Sequence, residues 1–154
     1  MIDTPHIVEA PAQLVATIHI QTPRSEIQDV MGPGIGEAMA AVKAQGIGPV
    51  GPWFAHHFKM TEEAFDFDIC VPVSASVTAV RRVKSWQRPA VKVVCTVYHG
   101  PYEGLGDAWH DFRTWIEANG HKTAEDLYEC YLVGPESSPE PADWRTELSR
   151  PVVV

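Results

Sequence analysis

The sequence predicts an α+β domain made of a duplicated strand–helix–strand–strand unit. The two copies would share an antiparallel sheet, pack one helix each on it, be related by a pseudo-two-fold axis, and leave a central ligand cleft where they join. Two observations carry this. First, the chain can be laid over itself. With Gly46 set on Gly120, Trp53–Phe58 falls on Leu127–Leu132, and Ile35, Ala38 and Val42 fall on Trp109, Phe112 and Ile116. With Pro72 and Val73 set on Pro151 and Val152, Phe65, Asp68 and Ile69 meet Trp144, Glu147 and Leu148. Second, each half has the same punctuation: apolar β-branched and aromatic runs, then a stripe at helical spacing, separated by Gly and Pro. The 154 residues read as a single domain with internal repeats at about 6–83 and 90–154.

In the first half the opening strand is Gln13–Gln21, with Val15, Ile18 and Ile20 as its bulk. The helix is expected from about Pro33, which suits a first helical turn, to Gln45, with Gly46 as its stop. Arg24–Met31 would add a helical turn before a break at Gly32-Pro33-Gly34. Strands follow at about Trp53–Lys59 and Phe65–Val73, with a turn at Met60–Ala64. Val77–Val83 reads as an extra strand and Lys84–Pro89 as the linker between the halves. In the second half Ala90–His99 is a strand rich in β-branched residues. After the turn Gly100-Pro101-Tyr102, a helix runs from about Gly104 to Asn119 and Gly120 closes it. Leu105, Trp109, Phe112 and Ile116 form its apolar stripe. Leu127–Val133 and Trp144–Val152 are the last strands, joined by a Pro-, Ser- and Glu-rich loop.

Bulk composition narrows the function classes. Hydrophobic content of 45% and charged content of 21% are ordinary for a globular chain. The net charge of −8 argues against direct binding of nucleic acid or an anionic membrane and mildly favours cationic ligands. The local basic group Arg81, Arg82, Lys84, Arg88 and Lys92 reads as a solvated edge and loop. Cys70, Cys95 and Cys130 all lie in apolar strands, are odd in number and form no C-x-x-C, which points to buried free thiols in a cytoplasmic protein. No secretory leader and no membrane-spanning run is expected. His56 and His57 are neighbours on a strand and point to opposite faces, so they do not form a metal pair, and no metal or cofactor is expected. A phosphate-binding glycine loop and a nucleophile elbow are both missing.

Glu129 is a lone carboxylate in the apolar strand Leu127–Val133. An ionised acid there costs several kcal/mol unless it is paired, hydrated or held for a ligand. The structural alternative is an ion pair with Arg145 on the adjacent strand. Ala55 occupies the matching position of the first half, so the fold does not demand an acid. Alternation puts Leu127, Glu129 and Tyr131 on one face, and Trp53, Ala55 and His57 on the matching face of the first half.

The run His99-Gly100-Pro101-Tyr102-x-x-Leu105, the helix end Trp115-Ile116-x-x-x-Gly120 and the run Tyr128-Glu129-x-Tyr131-x-x-x-Pro135 resemble the GyrI-like small-molecule-binding domain, the effector-binding domain of AraC- and MerR-type regulators. Pro72-Val73 and Glu147-Leu148-x-x-Pro151-Val152 fit it too, so the resemblance covers about Pro5 to Val153. It implies a cleft for lipophilic or cationic molecules with the Glu of the Glu-x-Tyr strand, here Glu129, at its base. The sequence departs from the regulators in that the pattern starts within the first dozen residues and leaves no room for a DNA-reading helix-turn-helix, so a bacterial stand-alone form is expected. The expected ligand-binding residues are Glu129, Tyr131, Trp53, His57, Phe67, Tyr98, Tyr102, Trp109 and Phe112. The expected use is sequestration or sensing of a small hydrophobic or cationic ligand, with any protein partner unspecified. The resemblance carries two alternatives. One is hydrolysis of cyclopropanoid electrophiles, with Glu129 and Tyr131 as the catalytic pair. The other is a gyrase-interacting protective protein. His56-His57 stands where relatives commonly carry a Tyr, which alters what can be carried over at that position.

Overall fold

The repeated strand patterns pair antiparallel within each half, and each half carries one helix. They are seen in a computed structural model that describes residues 2–60, 63–135 and 137–153. The chain divides into a first unit, Pro11–Ala90, and a second unit, Met1–Ala10 with Val91–Val154. The first unit contains β2 (Gln13–Pro23), α1 (Ile27–Ala44), β3 (Phe54–Met60), β4 (Ala64–Pro72) and β5 (Lys84–Arg88), with sheet order β3-β4-β2-β5. The second contains β1 (His6–Ala10), β6 (Val91–His99), α2 (Leu105–Ala118), β7 (Leu127–Val133) and β8 (Arg145–Pro151), with order β1-β6-β8-β7. The strand–helix–strand–strand plan therefore holds in both.

Local chemistry recurs with the plan. Each helix ends on a glycine with positive φ, Gly46 at 68° and Gly120 at 73°. At each end the following residue reaches back five positions, Ile47 N–H to the Val42 carbonyl and His121 N–H to the Ile116 carbonyl, which satisfies carbonyls the helix leaves open. Val50 N–H donates to the Pro72 carbonyl as Ala124 N–H does to that of Pro151. Strands β3 and β7 each carry a bulge at the same place, between His57 and Lys59 and between Tyr131 and Val133. The extra residues, Phe58 and Leu132, are 39% and 42% exposed.

Three expectations are corrected. Helix α1 starts at Ile27 and runs through Pro33 instead of starting there. Proline in a helix removes one backbone bond, but Gly32 and Pro33 sit on the exposed side, where water can satisfy the freed carbonyl. Packing on the opposite side holds the helix down: a Cβ on Gly34 would lie 2.7 Å from Ile69 Cδ1 and 3.0 Å from that of Ile20. Lys84–Arg88 is not a linker but β5, hydrogen-bonded to β2, while Val77–Val83 forms only an isolated Val80–Val83 bridge. Residues 6–10, expected in the first repeat, pair with β6 of the second, His6 opposite Cys95. The expected turn at Met60–Ala64 falls partly on Thr61 and Glu62, outside the described residues.

The helix-covered faces form the cores. In the first unit Ala55, Ile69 and Ile18 align across three strands, as do His57, Phe67 and Ile20. In the second, Ala108, Trp109, Phe112 and Ile116 of α2 are buried, and each fully buried large apolar side chain contributes roughly 1.5–3 kcal/mol. The thiols are free. Burial, then the nearby Glu147, pushes Cys95 to about 11, and burial raises Cys70 well above the ordinary thiol range, so neither is a nucleophile near neutral pH. Among the described residues no helix is long and apolar enough to cross a membrane.

Candidate functional site

Within the second unit, β7 and α2 converge on Glu129. Register sets Glu129 opposite Leu148, and Leu148 opposite Thr96, so the acid lies on the face that α2 covers. It is 7% exposed. The Trp109 indole N–H, one helix layer above, donates to Oε2 at 2.9 Å, and the Tyr131 hydroxyl, two residues along the same face, donates to Oε1 at 3.0 Å. Hydrogen bonds to a charged group contribute about 1.5–3 kcal/mol each, the same scale as the cost of burying the carboxylate. Both of these donors are neutral groups that hold the carboxylate in place.

Tyr131 is affected in turn. Burial first, then the charge of Glu129 and the bond to it, push the phenol well above its ordinary range. Tyr131 therefore keeps its proton and acts as a donor. Its ring meets that of Tyr102 edge-on at 5.9 Å, and Tyr102 lies 4.9 Å from Trp144. Trp109 packs 5.7 Å from Phe112. The result is a carboxylate with an aromatic wall that is partly open, Tyr102 being 36% exposed and Trp144 half-buried.

The surroundings of the other sequence-derived candidates follow from the strands that carry them. Arg145 is not the partner of Glu129. It lies opposite Val133, too far along the strand, and its Nη1 donates to the carbonyls of Ala142 and Trp144. Tyr98 is buried at the turn, its hydroxyl donating to the Pro101 carbonyl at 2.8 Å, and a Cβ on Gly104 would collide with that hydroxyl. Phe112 has no exposed surface. Trp53, His57 and Phe67 belong to the first unit. Trp53 precedes β3 and is half-buried, while His57 stacks on the fully buried Phe67 at 5.0 Å. Trp144 is the residue that sequence reasoning missed as a site member. It was read only as the start of a strand, yet its indole N–H donates to the Ser138 carbonyl across the loop and fixes the ring beside Tyr102. Among the described residues no group of three or more His, Cys, Asp or Glu is placed to hold a metal ion.

The GyrI-like small molecule binding domain family model matches residues 3–153. No protein of curated function matches significantly. Among solved structures, the EcmrR C-terminal domain superposes with a TM-score of 0.85 at 23% identity, covering 97% of this chain and 97% of that one. Against the longer EcmrR chain in its DNA complex, the chain spans 57% of the length. SAV2435, solved bound to tetraphenylphosphonium, superposes with a TM-score of 0.71 at 11% identity, covering 98% of this chain and 94% of that one. A hydrolase from Listeria innocua gives 0.66 at 13% identity, covering 97% and 91%. At these identities the likeness is one of fold.

Proposed function

The chain belongs to the GyrI-like small-molecule-binding family, and from that premise we propose that it binds lipophilic cations at Glu129, for sequestration or for sensing on behalf of a separate partner. The observation that supports this reading most is the capped carboxylate. Glu129 is buried, fixed by two neutral donors and bordered by Trp109, Tyr131, Tyr102 and Trp144. Aromatic faces attract a cation through their quadrupoles, and a buried negative charge selects it over a neutral ligand of the same shape. The fold likeness to SAV2435, a tetraphenylphosphonium-bound protein, supplies the probe. Calorimetric titration with tetraphenylphosphonium is expected to show binding that weakens at least about tenfold in Glu129→Gln, while neutral triphenylphosphine oxide is indifferent to the substitution. Equal affinity of both proteins for the cation sinks the electrostatic reading.

The Glu129–Tyr131 hydrogen bond favours one second reading, hydrolysis of a strained electrophilic ring. In it Glu129 takes a proton from water, the water oxygen bonds to the ring carbon, the strained bond opens, and Tyr131 protonates the leaving atom. The raised phenol keeps Tyr131 protonated near neutral pH, so the proton this step needs is present. Incubation with a cyclopropanoid and epoxide panel separates the readings: hydrated product that vanishes in Glu129→Gln marks an enzyme, and unchanged ligand recovered from a complex marks a binder.

A further inference from the structure

The face of the first unit's sheet opposite α1 carries a groove of about 500 Å³ lined by Thr17, His19, Phe58, Asp68, Arg82 and Lys84. We propose that this groove is a second binding site, independent of Glu129, for a zwitterionic peptide of dipeptide size with an aromatic side chain.

Opposite charges stand on opposite sides of the groove. On the β4 side, Asp68 Oδ1 lies 2.8 Å from His19 Nδ1, and Asp66 Oδ1 lies 3.0 Å from His19 Nε2. The imidazole thus holds two carboxylates at the surface, Asp68 with 18% and Asp66 with 33% of its side chain exposed. On the β5 side, Arg82 is fixed by Glu37 of α1, whose Oε1 accepts from Nη2 at 2.8 Å and Nε at 3.2 Å. Lys84 is exposed and, among the described residues, has no ion-pair partner. These are the basic residues that stand out in an acidic chain and that the Glu129 site leaves unused.

The spacing and the groove volume admit an occupant of dipeptide size. Asp68 lies opposite His19, and Lys84 lies opposite Thr17. Two strand spacings of about 4.8 Å and a two-residue stagger of about 3.4 Å per residue put their Cα atoms about 12 Å apart. An extended dipeptide separates its ammonium and carboxylate by about 7 Å. With a charge-assisted bond of about 2.8 Å at each end such a peptide can reach from the Asp68 carboxylate to the Lys84 ammonium, whose long flexible side chain takes up the difference. A simple anion would face Asp68 and a simple cation would face Lys84, so the groove disfavours both. Phe58 supplies the aromatic contact. The bulge in β3 turns it onto this face, 39% exposed, with its ring 4.4 Å from His56 and 5.9 Å from His19.

The test removes one charge of the ligand at a time. Glycyl-phenylalanine, its C-terminal amide and its N-acetyl derivative are titrated calorimetrically into the full chain. The zwitterion is expected to bind at least about tenfold more tightly than either blocked form. Lys84→Gln, at an exposed position, is expected to weaken the zwitterion about tenfold and leave the amide unchanged, and Phe58→Ser to weaken all three ligands. Glu129→Gln is expected to change none of them. Equal binding of the three ligands, no binding at millimolar concentration, or loss of binding in Glu129→Gln overturns the proposal.

Discussion

The strand after the helix reads Phe54-Ala55-His56-His57-Phe58 in the first unit and Tyr128-Glu129-Cys130-Tyr131-Leu132 in the second. The backbones do the same thing: the same bulge, the same glycine stop on the preceding helix, the same proline at the end of the next strand. The side chains do not. Ala55 is fully buried beside Ile69, with Ile18 on the strand beyond, and the sequence repeat sets Ile35 of α1 where α2 carries Trp109. Glu129 occupies the matching place under an indole N–H and beside a phenol. The same frame is built with a methyl group at this position in one copy and with a carboxylate and two donors in the other. An acid that the fold does not require supports the proposed site at Glu129.

The most severe way to break this contrast is Ala55→Glu. The repeat offers Ile35 in place of the Trp109 indole, so a charge here lacks that donor, and a loss on the order of 3–5 kcal/mol is expected in urea unfolding. Near-wild-type stability would mean that the two strands do not differ in environment. Next, Phe112→Ala gives α2 the residue that α1 carries at Ala38, and removing a fully buried ring should cost about 3–5 kcal/mol. Smaller again is the difference between two changes at one position. Glu129→Ala orphans the Trp109 and Tyr131 donors, while Glu129→Gln leaves an acceptor, so Ala should be the less stable by roughly 1–3 kcal/mol. The mildest test is alkaline. The folded phenol of Tyr131 lies above its unfolded value of about 10, so below that pH both states hold the proton and its effect on stability is constant. Above it the unfolded chain loses the proton first, and stability should fall with rising pH. Tyr131→Phe should flatten that fall, as followed by denaturant midpoints across the alkaline range.

Much of this was legible because the repeat imposes one chemistry twice. The Gly46 and Gly120 stops, the apolar stripe of α2 and the isolation of Glu129 needed no structure, and the Glu129–Tyr131 pairing followed from strand alternation. What escaped was decided by tertiary contact. Pro33 signals a helix start in any local reading, and only the close seating of Gly34 on Ile20 and Ile69 explains a helix that passes through it. Lys84–Arg88 is too polar to announce a strand, and it becomes one by lying along β2. Trp144 looked like ordinary strand bulk because its neighbour Tyr102 is remote in sequence. The pairing of Glu129 with Arg145 failed by register, which the bulge in β7 shifts and which no composition reveals.

Strand β1 has a consequence for how the chain is assembled. His6 pairs with Cys95, 89 positions away, a separation that would ordinarily make for a slow search. The first unit, however, ends as it begins: Gln13 lies beside Arg88, and the next pair outward is Ala10 with Val91. The first unit is thus an insertion inside the second. Once it has folded, it acts as a short turn that delivers residues 10 and 91 side by side. During synthesis residues 11–90 have all their own strands before β6 exists, while β1 emerges first and has no partner until β6 follows. A chain opened within residues 11–90 loses that turn, whereas one whose insertion is exchanged for a tight loop keeps β1 and β6 in register.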